Sequence, residues 1–174
     1  MTQIASSDFS RLFIALWPDR ATRMALDACR EPWIWPKHAH LAHTDSLHVT
    51  LHFLGNIPHQ IIPTLIDALR LPFTQFDLTL NRQQIWSNGV AVLEPETIPT
   101  QLTALHDELR AVLQSLSIPV EVRPYRPHVT FARHVGDAIS PPDCKPIQWQ
   151  VQGYALVQSE LTPPRGYRVL QSYC

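Results

Sequence analysis

Leu47-His-Val-Thr-Leu-His-Phe-Leu-Gly55 and Arg126-Pro-His-Val-Thr-Phe-Ala-Arg133 share one tripeptide, His-Val-Thr, 80 positions apart. For a chain of 174 residues with 9 histidines, random placement gives roughly 0.04 such tripeptides, so the pair marks a duplicated structural unit. Both stretches are short and apolar enough for strands. On a strand, side chains two apart share a face. His48 and Thr50 therefore point one way and Val49 the other, as do His128 and Thr130 against Val129.

Working outward, the duplication extends to the neighbouring elements. The run Leu12 to Trp17 predicts a buried strand, and Pro18-Asp19 opens a helix with Ala21, Met24, Ala25 and Ala28 inward, ended by Pro32 to Pro36. Trp33 to Thr44 has no period and reads as a loop. After the first His strand, Ile61, Ile62, Leu65, Ile66 and Leu69 predict a helix with Pro63 in its first turn. Phe76 to Leu80 and Val90 to Leu93 predict strands joined across Ser87-Asn88-Gly89. A helix from near Thr97, with Pro99 in its first turn, carries Leu102, Leu105, Leu109, Val112, Leu113 and Leu116. Strands are predicted next at 128–134, 149–158 and 167–172. Each His-Val-Thr thus comes after a strand and a helix. Pseudo-repeats at about 11–85 and 89–172, behind a loose terminus at 1–10, form one bilobed domain over 1–174, because each half alone is too small to cover its sheet.

Composition narrows the function. A formal net charge of -1 gives no broad positive field for duplex nucleic acid, so a polyanion must be met locally. Arg outnumbers Lys twelve to two, and a planar guanidinium suits bidentate phosphate recognition. Cys29, Cys144 and Cys174 are odd in number and widely spaced, with neither a zinc-ligand pattern nor a disulfide framework, which favours a reduced, cytoplasmic setting. The apolar run at 12–17 is too short for a signal-peptide core or a membrane span, so no membrane association is expected.

If the two His/Thr faces meet across a groove, two imidazoles and two hydroxyls surround one small volume. That set suits phosphodiester chemistry without a metal or other cofactor. A neutral imidazole accepts a proton from the attacking oxygen, a protonated one donates to the leaving oxygen, and Thr50 and Thr130 donate to the non-bridging phosphate oxygens. No GxSxG elbow or catalytic cysteine signature competes with it.

With Arg11-Leu-Phe-Ile-Ala-Leu-Trp-Pro18 and the two histidine stretches quoted above, the chain resembles the two-histidine phosphoesterase superfamily. It is similar to one branch in particular, the bacterial RNA 2',3'-cyclic phosphodiesterases, also described as 2'-5' RNA ligases. A weaker echo is Leu156-Val-Gln-Ser-Glu-Leu161 followed by Tyr167-Arg-Val-Leu170. The resemblance implies an α+β fold with two mainly antiparallel sheets facing a central cleft and helices outside. It implies hydrolysis of RNA 2',3'-cyclic phosphate ends to 2'-phosphates, with reversible 2'-5' ligation as an associated activity. His48 would protonate the leaving 3' oxygen, His128 would activate water, Arg133 would contact the phosphate, and Phe53 would lie by the nucleotide. A regular strand turns position 133 away from His128, so a bulge or strand end must re-aim Arg133.

Other residues are candidates on weaker grounds. Arg126 is a second phosphate-binding candidate and Tyr125 a possible base contact, while Arg123, Arg165 and Arg168 read as a solvated edge. His52 falls on the face of His48 and His134 on that of His128, and His38, His40 and His43 crowd one loop. A histidine metal site is therefore a rival, yet HxH and HxxxH here lack matching carboxylates, and a metal on His48 or His128 would block proton transfer. Two other readings remain: a non-catalytic RNA-end or nucleotide binding module on the same fold, and a histidine-metal-dependent hydrolase. The expected partner is an RNA end or small nucleotide, bound by a monomer, with no protein partner implied.

Overall fold

A computed structural model describes residues 8–160, 162 and 165–174. Most of the expected loose terminus (1–7) and of the Pro163-Pro164 loop, together with Leu161, lies outside the described residues. The elements in chain order are β1 (Phe9–Leu16), α1 (Arg20–Arg30), β2 (His40–Leu41), β3 (Val49–Pro58), α2 (Ile62–Ala68), β4 (Phe76–Ile85), β5 (Val90–Pro95), α3 (Thr100–Ser115), β6 (Val129–Arg133), β7 (Ile147–Val151), β8 (Tyr154–Glu160) and β9 (Gly166–Tyr173). Strand pairing is antiparallel throughout.

The fold is α+β, with one departure from expectation. Instead of two sheets, the described strands form a single nine-stranded sheet in the order β7-β4-β5-β6-β3-β1-β8-β9, with β2 added on β6. The two His strands, β3 and β6, are neighbours at its middle, and their one recorded pairing is Val49 with Val129. Outward from each His strand lies the strand preceding it in its repeat, β1 or β5. The third places are crossed over: β4 lies beyond β5, whereas β8, from the far end of the chain, lies beyond β1.

That crossing explains why the single strand expected over 149–158 is two. β7 pairs with β4, β8 pairs with β1, and the chain changes sides at Gln152-Gly153. A Cβ on Gly153 would lie 2.1 Å from the Tyr173 carbonyl oxygen, so only glycine permits this close backbone approach.

The helices cover one face of the sheet, with α1 against β7 and α3 against β3. On α1 the buried positions are Thr22, Leu26, Cys29 and Arg30, not the expected face: Met24 is 60% exposed. The larger payload of Leu26 and Cys29, continued by buried Trp33, decides the rotation over a row of alanines. Asp19 caps α1, its Oδ1 accepting from Thr22 N–H at 2.7 Å. In α3, Leu102, Leu105, Leu109 and Leu113 are buried as expected. Its end is a left-handed Ser117 (φ 57°), with Ser117 N–H bonded to Gln114 O and Ile118 N–H to Leu113 O.

Two smaller corrections concern the loops. Trp33 to Thr44 is not all loop, since β2 pairs with β6 there. The cysteines are not all free either: Cys29 and Cys144 form a disulfide joining α1 to the segment before β7, and Cys174 is free and exposed. Sequence spacing hides the pair, because two cysteines with a sequence separation of 115 are brought together only by the packing of α1 on β7. No helix among the described residues is long and apolar enough to cross a membrane.

Candidate active site

The Val49–Val129 pairing sets the site. With both valines buried beneath the sheet, the flanking His and Thr side chains rise on its other face, where His48, Thr50, His128 and Thr130 line one cleft of about 1040 Å³. Both imidazoles are anchored alike. Nδ1–H of His48 donates to the Ser46 carbonyl at 2.6 Å, and that of His128 to the Arg126 carbonyl at 2.7 Å. In each case the acceptor is two residues upstream. A carbonyl only accepts, so the proton is fixed on Nδ1 and Nε2 is the nitrogen free for proton exchange. Thr50 Oγ1 lies 3.0 Å from Nε2 of His48.

A register shift comes after each threonine. On β3, Thr50 pairs with Ala15 but His52 with the adjacent Ile14; on β6, Thr130 pairs with Val92 but Ala132 with the adjacent Ala91. Each shift inserts one extra residue, Leu51 or Phe131, and reverses the facing of the residues beyond it. Phe53 and Arg133, which simple alternation would turn away, consequently line the cleft, and Phe53 is 42% exposed there with the Arg11 guanidinium 4.9 Å over its ring. The same shift corrects the expectation for His52. It leaves the face of His48 and is buried against α3, donating from Nε2 to the His106 carbonyl at 2.8 Å.

Although anchored alike, the two histidines have different surroundings. His48 is enclosed by Phe13, Trp17 and Tyr167, with ring centroids at 4.9, 5.5 and 5.4 Å. Burial pushes its pKa down to about 4. His128 has the Trp86 ring at 4.4 Å. Burial lowers its pKa as well, against the opposing pull of its carbonyl bond and of Glu94.

Glu94 is a residue that pattern reading misses. It is 2% exposed on β5, and its carboxylate takes Arg126 Nε at 2.5 Å, Arg82 Nη2 at 3.0 Å and Trp86 Nε1–H at 3.2 Å. Burial opposes its ionisation, but the bonds from Arg126 and Arg82 outweigh that and hold its carboxyl below the usual range. Arg126 stands over the Trp86 ring at 4.7 Å. It lines the cleft, though its charge is balanced by Glu94. Alignment of the two repeats would expose Glu94, because it matches Trp17.

Tyr125 also lines the cleft, but its hydroxyl donates to the Thr50 carbonyl at 3.1 Å and one ring face is stacked on His106 at 3.9 Å. Burial pushes its phenol above the ordinary range. Both groups serve packing and leave little for a base. Among the remaining candidates, Arg123 and Arg165 line the cleft, Arg123 being paired with Glu121, and Arg168 is paired with Glu160. His40 and His134 meet edge to face at 5.0 Å, and His134 has φ 59°. Among the described residues no group of three or more His, Cys, Asp or Glu could hold a metal ion.

Comparison with known proteins matches this geometry to a family. Residues 18–165 fit the 2'-5' RNA ligase superfamily. An RNA 2',3'-cyclic phosphodiesterase of Thermus thermophilus is 30% identical over 143 residues, 73% of this chain and 71% of that protein. Solved structures of E. coli LigT with 3'-AMP and with NADP+ superpose with TM-scores of 0.85 and 0.83 at 25% and 26% identity, covering 94% of this chain and 97% and 96% of theirs. A further Thermus thermophilus structure gives a TM-score of 0.72 at 28% identity, over 93% of this chain and 96% of its own.

Proposed function

Because the chain belongs to the 2'-5' RNA ligase superfamily, a family of phosphoesterases, we propose that it hydrolyses 2',3'-cyclic phosphate ends of RNA to 2'-phosphomonoesters. The observation that carries this reading is the matched anchoring of His48 and His128, which presents two Nε2 atoms, with Thr50 and Thr130, to one cleft.

Water oxygen attacks phosphorus and gives its proton to Nε2 of His128. The P–O3' bond breaks, and Nε2–H of His48 protonates the departing 3' oxygen, leaving the phosphate on O2'. The free protein keeps His48 neutral by burial; an anionic cyclic phosphate beside it favours the imidazolium that donation requires. Thr50, Thr130 and Arg133 meet the non-bridging oxygens as charge grows there. Phe53 offers a stacking face for the terminal base. If a 5'-hydroxyl replaces water, the same step joins two strands through a 2'-5' bond, and it runs in reverse with the histidine roles exchanged. E. coli LigT has been solved with nucleotides, which fits a nucleotide-sized ligand in this cleft.

Incubation with an oligonucleotide ending in a 2',3'-cyclic phosphate, and then identification of the monophosphate, tests the reading. A 2'-phosphate is expected. A 3'-phosphate would overturn the assigned leaving group. Binding without turnover, unaffected by changes at both histidines, would point instead to a binding module, and loss of activity on chelation to a metal hydrolase.

A further inference from the structure

The fold repeats its histidines but not what stands beside them. Ala15 is the strand partner of Thr50, and Val92 is the partner of Thr130. Trp17 and Glu94 each come two residues after that partner, so they occupy equivalent places. In one half the place holds an indole stacked on His48; in the other it holds a buried carboxylate.

Two of the three partners of that carboxylate lead toward His128; the third, Arg82, holds it from the neighbouring strand β4. Its Oε1 receives the indole N–H of Trp86, whose ring lies 4.4 Å from the imidazole. Arg126, held through Nε and Nη2, belongs to the residue whose carbonyl fixes Nδ1–H of His128. Trp86 sits just past the end of β4 in the hairpin that Gly89 closes with φ 73°, and Arg126 lies in the loop before β6. Glu94 thus ties two otherwise separate loops to one strand.

We propose that Glu94 is the positioning residue that makes the two histidines unequal: it braces Trp86 and Arg126 around His128 and buries a carboxylate behind them. Trp17 can give His48 neither of these. The inference rests on the reading of His128 as a proton-exchanging group, and it names what prepares that group.

The charges facing His128 come from several elements. Arg123 and Arg126 belong to the preceding loop with Glu121, which pairs with Arg123; Glu94 is on β5, where Arg82 of β4 binds it; His48 precedes β3, and Arg133 ends the strand after His128 and lines the same cleft. Glu94 is the buried carboxylate among these cations, whereas Glu121 is exposed. Removal of Glu94 leaves Arg123 and Arg126 to repel a proton on the imidazole, while removal of Arg126 leaves Glu94 less compensated.

The test monitors the His128 Cε1–H resonance through a pH titration of the whole protein, in the wild type, Glu94→Gln and Arg126→Gln. Glu94→Gln is expected to lower the His128 midpoint by about half a pH unit or more, and Arg126→Gln to raise it, as loss of an attractive or a repulsive neighbour should. The limb of the kcat/KM profile that reports His128 moves with it. An unmoved midpoint in both variants, or movement in the same direction, would overturn the proposal. Should Glu94→Gln fail to fold, Glu94→Asp decides, because it keeps the charge but shortens its reach to Trp86 and Arg126: a lowered His128 midpoint supports the proposal, and a wild-type midpoint overturns it. The resonance reads the imidazole itself, so wild-type inactivity on cyclic phosphates would defeat the functional reading without being mistaken for failure of this one.

Discussion

Val49 and Val129 are cross-strand partners, and each is the middle residue of a His-Val-Thr tripeptide. This one pairing joins the two halves of the sheet beneath the site, so it governs how far apart the two imidazoles stand. Both valines have no exposed surface. Val129→Ala is expected to cost about 2 kcal/mol, from lost burial of two methyl-sized groups plus the cavity left behind. Turnover should fall beyond what the unfolded fraction explains. Thermal melts compared with rates well below the midpoint would check this; wild-type kcat in the folded variant would show that the joint does not govern the site.

His48→Ala and His128→Ala are each expected to lower turnover by at least about 10²-fold, the low end for loss of a general acid or base. The double variant should be little worse than either single one, since the two act in one step. Single-turnover rates on a cyclic-phosphate oligonucleotide measure this, and chelator in the assay should leave the wild-type rate unchanged.

Arg133 reaches the cleft because the strand shifts register at Phe131. Arg133→Lys keeps the charge but not the planar fork, so kcat/KM should drop by about tenfold or more. Near-wild-type activity in the lysine variant would reduce the role of Arg133 to simple charge.

His106 is buried between the rings of His52 and Tyr125, and its pKa is pushed down to about 4 by burial and by the neighbouring His52. An unfolded histidine titrates near about 6.5. Between those values the unfolded chain binds more protons than the folded one, so this contribution to stability is full above about pH 6.5 and is lost as pH falls toward about 4. The melting temperature should fall across that window, and His106→Leu should flatten the fall. A slope unchanged by the substitution would place the acid sensitivity elsewhere.

The Cys29–Cys144 disulfide closes a loop with a sequence separation of 115. Disulfides typically stabilise by about 2–4 kcal/mol, mainly by restraining the unfolded state. Reductant should lower the wild-type melting temperature and leave Cys29→Ser unaffected; a wild type indifferent to reductant would mean that the bond does not form in solution.

Legible in the chain is whatever repeats or keeps a strong period. The duplicated tripeptide gives away both histidine strands, and the leucine spacing of α3 its buried face. Even the need for a bulge before Arg133 is legible, once alternation is set against the phosphate contact that the resemblance implies. The same conflict at Phe53 points to the matching bulge in β3, whereas plain alternation sets His52 beside His48, when it is buried beneath the sheet. The inward face of α1 is misread because three alanines carry periodicity without much area to bury. The single sheet, the disulfide and the Glu94 cluster all depend on contacts between distant segments, about which local pattern is silent. Glu94 is legible in principle, since alignment of the repeats sets it opposite Trp17.

The crossing at Gly153 also bears on how the protein comes into being. β1, near the start of the chain, is flanked on one side by β3 but on the other by β8. On the ribosome, the first half must therefore wait with an open, apolar strand edge until almost the entire chain has been made, and edges of that kind invite wrong pairing. Neither half should fold as a separately produced fragment. The early segments face their greatest risk of aggregation during synthesis, before the last two strands have emerged.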